Sequence, residues 1–297
     1  MRYSGYNPLM KNKMKYKGLF VTDLDGTLLT DEKTFNCRDL GALQKLRDQG
    51  YAIAIATGRS DYSFFTLMES LGMRGTERSP AIDYVLFSTG AGILNFNEES
   101  ILSSISLSEN DVSIIVDYLE ASQLDYMVHR AIPHTHKFLY RLHSEQNSDF
   151  SRRLDLYLEH GTQLSESGLT RPEKATEVLC IVPGTRGRDL TDRLAAIFEQ
   201  YSVIRATSPL DGESSWIEIF DSAVSKSKAV ARLAGSLGIA KENTCAVGND
   251  YNDEDLLHWA ETSYIVGNSP SRLKTVFHVV ASNNDGGVAE AIAHWLR

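Results

Sequence analysis

Two aspartates separated by one residue, Asp23 and Asp25, directly follow the short apolar segment 18–22. The segment predicts a buried β-strand, which places both carboxylates at its carboxyl end, where open α/β sheets bind ligands. Two like charges this close are costly unless a cation lies between them or one of them binds a proton. One can attack as a nucleophile while the other transfers a proton, and Gly26 permits a sharp turn at such a site.

The same Asp-x-Asp-Gly pattern is also typical of a surface turn, because Asp and Gly favour turns. A calcium-binding loop is a second alternative, which needs a third acid or Asn before the Gly and a Glu at its twelfth position. Gly26 comes one acid too early for that loop, and Thr34 occupies the twelfth position counted from Asp23. The motif alone therefore disfavours calcium and leaves a surface turn open.

The composition indicates a globular protein of one large or two medium domains, with 297 residues of which 42% are hydrophobic and 23% charged. The formal net charge is −9, although five basic residues and no acidic residue lie within positions 1–20. The remainder carries 25 of the 30 basic side chains and all 39 acidic ones, a net charge of −14, which argues against nucleic acid as the main partner. We expect residues 1–16 to be a flexible basic tail.

The three cysteines, Cys37, Cys180 and Cys245, are odd in number and widely spaced. They suggest neither a disulfide framework nor a zinc knuckle, so we expect a reducing compartment. No apolar stretch approaches the length needed to span a bilayer, and the first residues lack the apolar core of a signal peptide. We therefore expect a cytoplasmic protein with no membrane partner.

Helix and strand patterns alternate over residues 18–92 and return over residues 227–296. Apolar runs at 51–56, 84–87 and 244–247 predict further strands, each followed by a polar loop. This alternation is typical of a parallel sheet covered by helices, so we predict an α/β fold with a Rossmann-like parallel-sheet core.

The middle of the chain holds shorter and more polar elements, divided by turn-rich stretches such as 165–174. We interpret it as an α/β cap domain inserted into the first domain. The expected boundaries are 17–91 and 213–297 for the core and 92–212 for the cap.

Four short segments fall at the ends of predicted strands or at the start of a helix, namely Asp23 with Asp25, Thr57 with Gly58 and Arg59, Lys226, and residues 248–253. They offer a carboxylate nucleophile, a hydroxyl donor, a fixed cation and an oxygen-rich cluster of the kind that Mg²⁺ prefers. Phosphoryl transfer needs this set, because it depends on positioning and on neutralising charge at the phosphoryl oxygens. Taken singly, each segment could be a turn, a solvated helix residue or a helix cap. Their order and their placement favour one shared site.

At these residues the chain resembles the haloacid dehalogenase-like phosphohydrolases, and within them the Cof-type subfamily with an α/β cap, type IIB. The resemblance extends from about Lys17 to Arg297 and is most specific at the first motif, residues 21–29. The other matching segments are 56–59, 217–219 with 224–226, 248–253 and 283–291. The resemblance implies a Mg²⁺-dependent phosphatase whose cap is inserted between the second and third motifs.

The resemblance also implies a role for each matching residue. Asp23 is the expected nucleophile and a metal ligand, and Asp25 is the expected acid and base, with its backbone carbonyl on the metal. The expected phosphoryl contacts are Thr57, Gly58, Lys226 and Asn252. The further candidates for the metal site are Asn249, Asp250 and Asp253. Asp253 could instead orient Lys226 or a metal-bound water.

Three positions depart from the family pattern. Asn249 stands where the fourth motif has Asp, so its amide oxygen can still bind Mg²⁺ but brings no charge, and Asp250 or Asp253 could compensate. Ser227 replaces the Gly after the third-motif lysine, and Thr89 replaces the Asn of an Asn-Gly-Ala hinge. The last two departures bear on substrate contacts, for which the candidates in the core are Arg59, Thr89 and Gly90.

The predicted cap carries a series of basic side chains between residues 129 and 143. Its His-x-His pair suggests zinc, but no cysteine lies nearby and no second pair of ligands has the spacing of a structural site. One alternative is a polar surface that faces the substrate, with the candidates His134, His136 and Arg141. The other is an ordinary solvated face.

From these residues we expect a Mg²⁺-dependent phosphatase that acts on a small phosphate ester, with sugar phosphates as the leading class, and that is a monomer or a weak homo-oligomer. The alternatives are a phosphohexose mutase on the same scaffold, a signalling receiver and a non-catalytic phosphate-binding module. A receiver is much shorter and lacks the inserted domain, and only Asn249 favours the non-catalytic module.

Overall fold

The structure, a computed structural model, describes residues 16–76, 79–144, 146–164 and 173–297. The chain forms two compact units: the first comprises the segment up to Ser104 together with Ser225–Arg297, and the second is Ile105–Val224. Residues 1–15 of the expected basic tail lie outside the described residues. In the part of the chain that the structure describes, every helix is too short or too polar to cross a membrane.

The first unit opens with the elements β1 (Leu19–Thr22), α1 (Cys37–Asp48), β2 (Ala52–Ala56), α2 (Asp61–Ser70), β3 (Tyr84–Phe87), β4 (Gly92–Asn95) and β5 (Ser100–Ser104). The second unit contains α3 (Glu109–Ala121), β6 (Tyr126–Arg130), β7 (Phe138–Arg141), α4 (Ser148–Tyr157), β8 (Gly161–Gln163), β9 (Ala175–Val182), α5 (Gly187–Ile197), β10 (Tyr201–Thr207) and β11 (Ser215–Asp221). The chain returns to the first unit with α6 (Lys226–Leu237), β12 (Thr244–Gly248), α7 (Glu254–Trp259), β13 (Thr262–Val266), α8 (Ser271–Lys274), β14 (His278–Val280) and α9 (Gly287–Trp295).

The first unit is built on an eight-stranded sheet with the order β14-β13-β12-β1-β2-β3-β4-β5. β1 pairs in parallel with both β12 and β2, whereas β4 and β5 follow β3 as antiparallel strands. Every residue of β1 and β2 is buried, as expected for parallel strands whose two faces are covered. The predicted α/β fold with a Rossmann-like parallel-sheet core is confirmed, and β1 lies in its interior with Asp23 at its carboxyl end.

The second unit has its own sheet, with the order β10-β11-β9-β6-β7-β8. Alternate residues of a strand face opposite sides of a sheet. Val178 and Cys180 of β9 therefore pack in one cluster with α3 and α5, whereas Leu179 and Ile181 pack in another with Phe150 of α4. Helices thus contribute to the packing on both faces of this sheet.

The boundaries between the units differ from those expected from the sequence. Residues 92–104, expected in the cap, form β4 and β5 of the first sheet, because β4 folds back on β3. Residues 215–221, expected in the core, form β11 of the second sheet, between β9 and β10. The side chains of Ile217 and Ile219 fill the core of the second unit. The sequence of β11, which lies close to Lys226 in the chain, does not indicate which of the two sheets the strand joins.

Asp125, buried just before β6, holds the segment that follows β7. Its carboxylate accepts hydrogen bonds from the backbone N–H groups of His143 (2.6 Å) and Ser144 (3.1 Å) and from the amide of Asn147 (2.8 Å).

Asp125→Ala leaves these donors without their acceptor, so we expect the free energy of unfolding to fall by about 3 kcal/mol. Chemical denaturation measures the change, with Asp155→Ala on the exposed side of α4 as the control. An Asp125→Ala protein as stable as the control would contradict this role.

Candidate active site

The carboxyl ends of three neighbouring parallel strands meet in the first unit. Asp23 follows β1, Thr57 follows β2 and Gly248 ends β12, so the loops that carry three of the predicted segments are adjacent. Backbone hydrogen bonds secure this arrangement. The N–H of Asp23 donates to the carbonyl of Val247 (2.8 Å), and the N–H of Thr57 donates to the carbonyl of Leu86 (2.8 Å). The first, second and fourth segments therefore share one edge of the sheet.

Lys226, the first residue of α6, brings the remaining segment to the same edge. Its ammonium nitrogen Nζ lies 2.7 Å from Oδ1 of Asp23 and 2.6 Å from Oδ1 of Asp253. Lys226 and Asp253 are fully buried, and Asp23 is 5% exposed. Burial lowers the pKa of Lys226, but the two carboxylates outweigh it and raise the pKa above its ordinary value, so the side chain stays charged. The three residues form a buried ion cluster of the paired kind that proteins tolerate.

Asp253 uses both of its carboxylate oxygens within the protein. Oδ1 accepts from Lys226, and Oδ2 accepts from the backbone N–H groups of Asn249 (2.8 Å) and Asp250 (3.1 Å). A Cβ atom at Gly248 would lie 2.6 Å from Cβ of Asp253, so the close approach of the loop requires glycine there. This geometry favours a role for Asp253 in orienting Lys226 over direct binding of a metal.

The second oxygen of Asp23 distinguishes this residue from its neighbours. Oδ2 is buried and has no hydrogen-bond partner within the described residues. Burial, and then the charge of Asp253, raise the pKa of Asp23 above its ordinary value, although Lys226 opposes the shift. A buried carboxylate oxygen without a partner is costly. A hard cation would satisfy it, because such ions prefer oxygen ligands.

Asp25 has a different environment from Asp23. Its carboxylate accepts two hydrogen bonds from the guanidinium of Arg59, from Nε (2.6 Å) and Nη2 (2.8 Å), and one from Nζ of Lys33 (3.2 Å). Burial raises the pKa of Asp25, but these two cations outweigh it and hold the pKa below its ordinary value. The sequence predicts Arg59 as a substrate contact, whereas in this structure it binds Asp25 and, through Nη1, the hydroxyl of Ser63 (3.2 Å).

Thr57 and Gly58 form the loop after β2. Thr57 is buried, and its hydroxyl oxygen accepts a hydrogen bond from the backbone N–H of Arg59 (3.1 Å). Gly58 is exposed. The predicted substrate contact Thr89 is fully buried in the first unit, and its N–H donates to the carbonyl of Thr57 (2.9 Å). Thr89 therefore supports the Thr57 loop through its backbone, whereas the adjacent Gly90 is buried beside Ala229 of α6.

Asn249 lies against the turn of the first motif. Gly26 has a φ of +77°, and a Cβ atom there would lie 2.5 Å from Nδ2 of Asn249. In the same short segment, the side chain of Asp250 accepts a hydrogen bond from the N–H of Asp253, and Asn252 is half-buried. Asn249 is thus the fourth-motif side chain that reaches the Asp23–Asp25 turn.

A metal site here needs donors that are not already used. Within the described residues, no group of three or more His, Cys, Asp and Glu side chains could hold a metal ion. A Mg²⁺ site would need a mixed set instead, from Oδ2 of Asp23, the backbone carbonyl of Asp25 and the amide oxygen of Asn249. Mg²⁺ usually keeps several waters and takes one or two carboxylates, so the unpartnered oxygen of Asp23 fits this ion.

Two further residues, Lys33 and Asn268, contact the Asp23–Asp25 turn but are not predicted from the sequence. Lys33, in the loop after the first motif, binds Asp25. Asn268 donates from its amide to the carbonyl of Gly26 (2.8 Å), and its amide oxygen accepts from the N–H of Asn283 (3.1 Å). Neither Lys33 nor Asn268 belongs to a motif with fixed spacing, so only the folded chain reveals them.

The candidate substrate contacts of the predicted cap belong to the second unit. There Arg141 donates from Nε to Oε1 of Glu120 (2.7 Å). The rings of His134 and His136 have their centroids 6.3 Å apart, and those of His136 and His160 are 5.0 Å apart. These contacts of Arg141, His134 and His136 lie within the second unit.

Comparison with known proteins agrees with the motifs. Residues 20–292 match the family described as haloacid dehalogenase-like hydrolase. A phosphatase of Bacillus subtilis is 23% identical over 292 residues, which cover 94% of this chain and 99% of that protein. A 5-amino-6-(5-phospho-D-ribitylamino)uracil phosphatase of the same organism is 23% identical over 94% of this chain and 95% of that protein. A solved subclass IIB sugar phosphatase has a TM-score of 0.72 at 17% identity, over 94% of this chain and 98% of that chain.

The chain belongs to the haloacid dehalogenase-like hydrolase family. The predictions of a Cof-type hydrolase of this superfamily and of a phosphoric monoester hydrolase are confirmed.

Lys226 should stabilise the fold through the buried ion cluster. Lys226→Met keeps most of the side-chain volume but leaves the carboxylates of Asp23 and Asp253 without their counter-ion, so we expect the free energy of unfolding to fall by about 3–5 kcal/mol. Urea denaturation near neutral pH measures this loss. Lys228→Met, two residues further along α6 and exposed, is the matched control and should change the value by less than about 0.5 kcal/mol. Equal stability of the two variants would show that the cluster does not stabilise the fold.

Proposed function

We propose that this protein is a Mg²⁺-dependent phosphatase that hydrolyses a small phosphate monoester through an aspartyl-phosphate on Asp23, with sugar phosphates as the leading substrate class. One observation carries the proposal. The buried carboxylate of Asp23 has one oxygen 2.7 Å from the ammonium of Lys226 and the other without a partner in the described chain. The contact with Lys226 orients the carboxylate of Asp23. The oxygen without a partner remains available to attack phosphorus or to bind a cation.

In the first half-reaction, a carboxylate oxygen of Asp23 forms a bond to phosphorus, and the bond from phosphorus to the ester oxygen breaks. The leaving oxygen takes a proton from the carboxyl group of Asp25. Lys226 and the hydroxyl of Thr57 bind the phosphoryl oxygens, where negative charge has to be neutralised. Asp23, the backbone carbonyl of Asp25 and Asn249 would hold Mg²⁺, which would supply further positive charge near these oxygens.

In the second half-reaction, the carboxylate of Asp25 accepts a proton from water while the water oxygen displaces Asp23 from phosphorus. Asp25 is ionised at this stage because it has given its proton to the leaving group, but its lowered pKa makes it a weaker base while Arg59 binds it. The contacts with Arg59 and Lys33 oppose the earlier role as acid. Asp25 therefore has to separate from Arg59 before it carries a proton to the leaving group.

Within this proposal Asp253 acts on Lys226 and not on the metal. Binding of Mg²⁺ by Asp253 would break hydrogen bonds to Lys226 or to the backbone of Asn249 and Asp250. Asn249 is then the fourth-motif ligand, with Asp250 as the second candidate. Asn252, in the same turn, is the proposed further contact to the phosphoryl group.

The substrate class and the role of the second unit are also proposals. We propose that Ile105–Val224 is the cap that selects the leaving group, with His134, His136 and Arg141 as candidate contacts. The relatives described above act on different phosphate esters, one of them a phosphoribitylamino-uracil and another a sugar phosphate by name. A screen of phosphorylated metabolites with and without Mg²⁺ tests the proposal. Phosphate release from sugar phosphates only with Mg²⁺ supports it, and hydrolysis of none of the esters contradicts it.

Asp23→Asn should abolish turnover and leave the fold intact, because the amide has nearly the same shape but cannot form the aspartyl-phosphate. We expect kcat to fall by about 10⁴-fold or more. Steady-state and burst release of phosphate are the measurements, with Asp155→Asn on the exposed side of α4 as the control. A folded Asp23→Asn protein that still releases a burst of product would exclude Asp23 as the nucleophile.

Asn249→Asp should strengthen the proposed metal site, because it adds a charge to a ligand that now offers only a dipole. The Mg²⁺ concentration for half-maximal activity should fall about tenfold, which corresponds to about 1.4 kcal/mol. Calorimetric titration with Mg²⁺ alone provides a readout that does not depend on turnover. Asn243→Asp, exposed just before β12, is the matched control. Equal Mg²⁺ affinity in the two variants would move the ligand role from Asn249 to Asp250.

A further inference from the structure

The turn of residues 88–90 after β3 has an unusual backbone. Ser88, Thr89 and Gly90 have φ values of +46°, +55° and +93°, so three consecutive residues lie in the left-handed region. All three are buried. A β-branched residue such as Thr89 rarely adopts this conformation, so Ser88 and Thr89 are both in a strained backbone conformation. The surrounding structure must therefore hold the turn in place.

The first turns of α6 provide that support. Ser225, Ala229 and Arg232 follow each other at intervals of four and three residues, so they lie on one face of the helix. A Cβ atom at Gly90 would lie 2.6 Å from Cβ of Ala229 and 2.7 Å from the carbonyl oxygen of Ser225. Arg232 donates from Nη2 to the carbonyl of Gly90 (2.9 Å). Ser225 and Ala229 therefore pack against the turn, and Arg232 forms a hydrogen bond with it.

The same turn binds the loop after β2. The N–H of Ser88 donates to the carbonyl of Arg59 (2.8 Å), and the N–H of Thr89 donates to the carbonyl of Thr57 (2.9 Å). Arg59 in turn binds Asp25 through two hydrogen bonds. The turn therefore connects the helix that begins at Lys226 with the loop that carries Thr57.

We propose that Arg232 is a positioning residue for phosphoryl transfer: it holds the strained 88–90 turn against α6 and thereby fixes Thr57 relative to Lys226. The inference rests on the proposed function, in which these two side chains bind the phosphoryl group. Arg232 is not one of the proposed phosphoryl or metal contacts, so it would act through the turn. It contributes a hydrogen bond to the carbonyl of Gly90, which holds the left-handed turn in position.

The test compares Arg232→Met, which keeps an unbranched side chain but removes the donor, with Lys228→Met on the exposed side of the same helix. Titration calorimetry with inorganic phosphate and Mg²⁺ measures binding, and p-nitrophenyl phosphate hydrolysis measures kcat. We expect Arg232→Met to weaken phosphate binding and to lower kcat by about tenfold each, since small displacements of positioning groups have effects of this size or larger. Lys228→Met should change both by less than about twofold.

Arg232→Lys separates positioning from charge and protects the test if Arg232→Met does not fold. Lysine keeps the positive charge but offers a compact donor in place of the guanidinium. We expect a loss intermediate between the parent and Arg232→Met, about threefold on the same scale. A purely structural role would instead lower the melting temperature and leave phosphate affinity and kcat of the folded protein unchanged. That result, in either variant, would overturn the inference.

Thr89→Asn tests the strain directly. Asparagine enters the left-handed region far more readily than a β-branched residue, so the turn should keep its shape without the Gly90 hydrogen bond. When added to Arg232→Met or Arg232→Lys, it should recover at least half of the lost phosphate binding energy. No recovery in either background would contradict the link through the turn.

The phosphate titration also separates this inference from the proposed function. A parent protein that binds phosphate but hydrolyses no ester contradicts the proposed function and leaves the comparison of Arg232 variants valid. A parent protein that neither binds phosphate nor hydrolyses esters overturns both.

Discussion

The buried contact of Lys226 with Asp23 and Asp253 is the interaction on which the rest of the site depends. Taking these charges out of water costs several kcal/mol per ion, and contacts of 2.7 Å and 2.6 Å are needed to offset that cost. Lys226 and Asp23 are 203 residues apart in the chain. The cluster therefore requires β1 to end just before Asp23, α6 to begin at Lys226 and the 248–253 loop to bring Asp253 to the same edge of the sheet.

The two aspartates of the first motif are chemically distinguished by their surroundings. Burial and the nearby Asp253 raise the pKa of Asp23, whereas Arg59 and Lys33 hold the pKa of Asp25 below its ordinary value. Pairs of titratable groups whose environments push their pKa values apart are the usual basis of divided catalytic roles. Asp23 is buried beside the ammonium of Lys226, whereas Asp25 is partly exposed and is bound by Arg59 and Lys33. The contacts support the proposed roles, whereas the pKa directions oppose them, because a raised pKa disfavours an ionised nucleophile and a lowered pKa disfavours a protonated acid. The proposed roles therefore require a cation at Oδ2 of Asp23 and separation of Asp25 from Arg59.

The residues at strand ends were accessible to sequence reasoning because apolar runs followed by polar loops mark the carboxyl ends of parallel strands. The sequence also places Lys226 at the start of a helix that faces the same edge, but it does not predict the direct contact of Lys226 with Asp23. The sheet to which β11 belongs could not be predicted, because alternating Ile217 and Ile219 would suit either sheet. The binding of Asp25 by Arg59 and the support from Asn268 depend on side-chain directions and on loops without fixed spacing. The left-handed backbone of Thr89 could not be predicted either, because β-branched residues rarely adopt this conformation.

Chemical identification of the phosphorylated residue tests the central claim most directly. The enzyme is quenched in acid during turnover and then treated with borohydride. Borohydride reduces an aspartyl-phosphate to homoserine, and peptide mass spectrometry locates the modified residue. We predict homoserine at position 23 and none at position 25, because Asp23, unlike Asp25, has a buried carboxylate that contacts Lys226 and keeps one oxygen without a partner among the described residues. Homoserine at another aspartate, or none in enzyme that is turning over a phosphate ester, would contradict the assignment of Asp23 as the nucleophile.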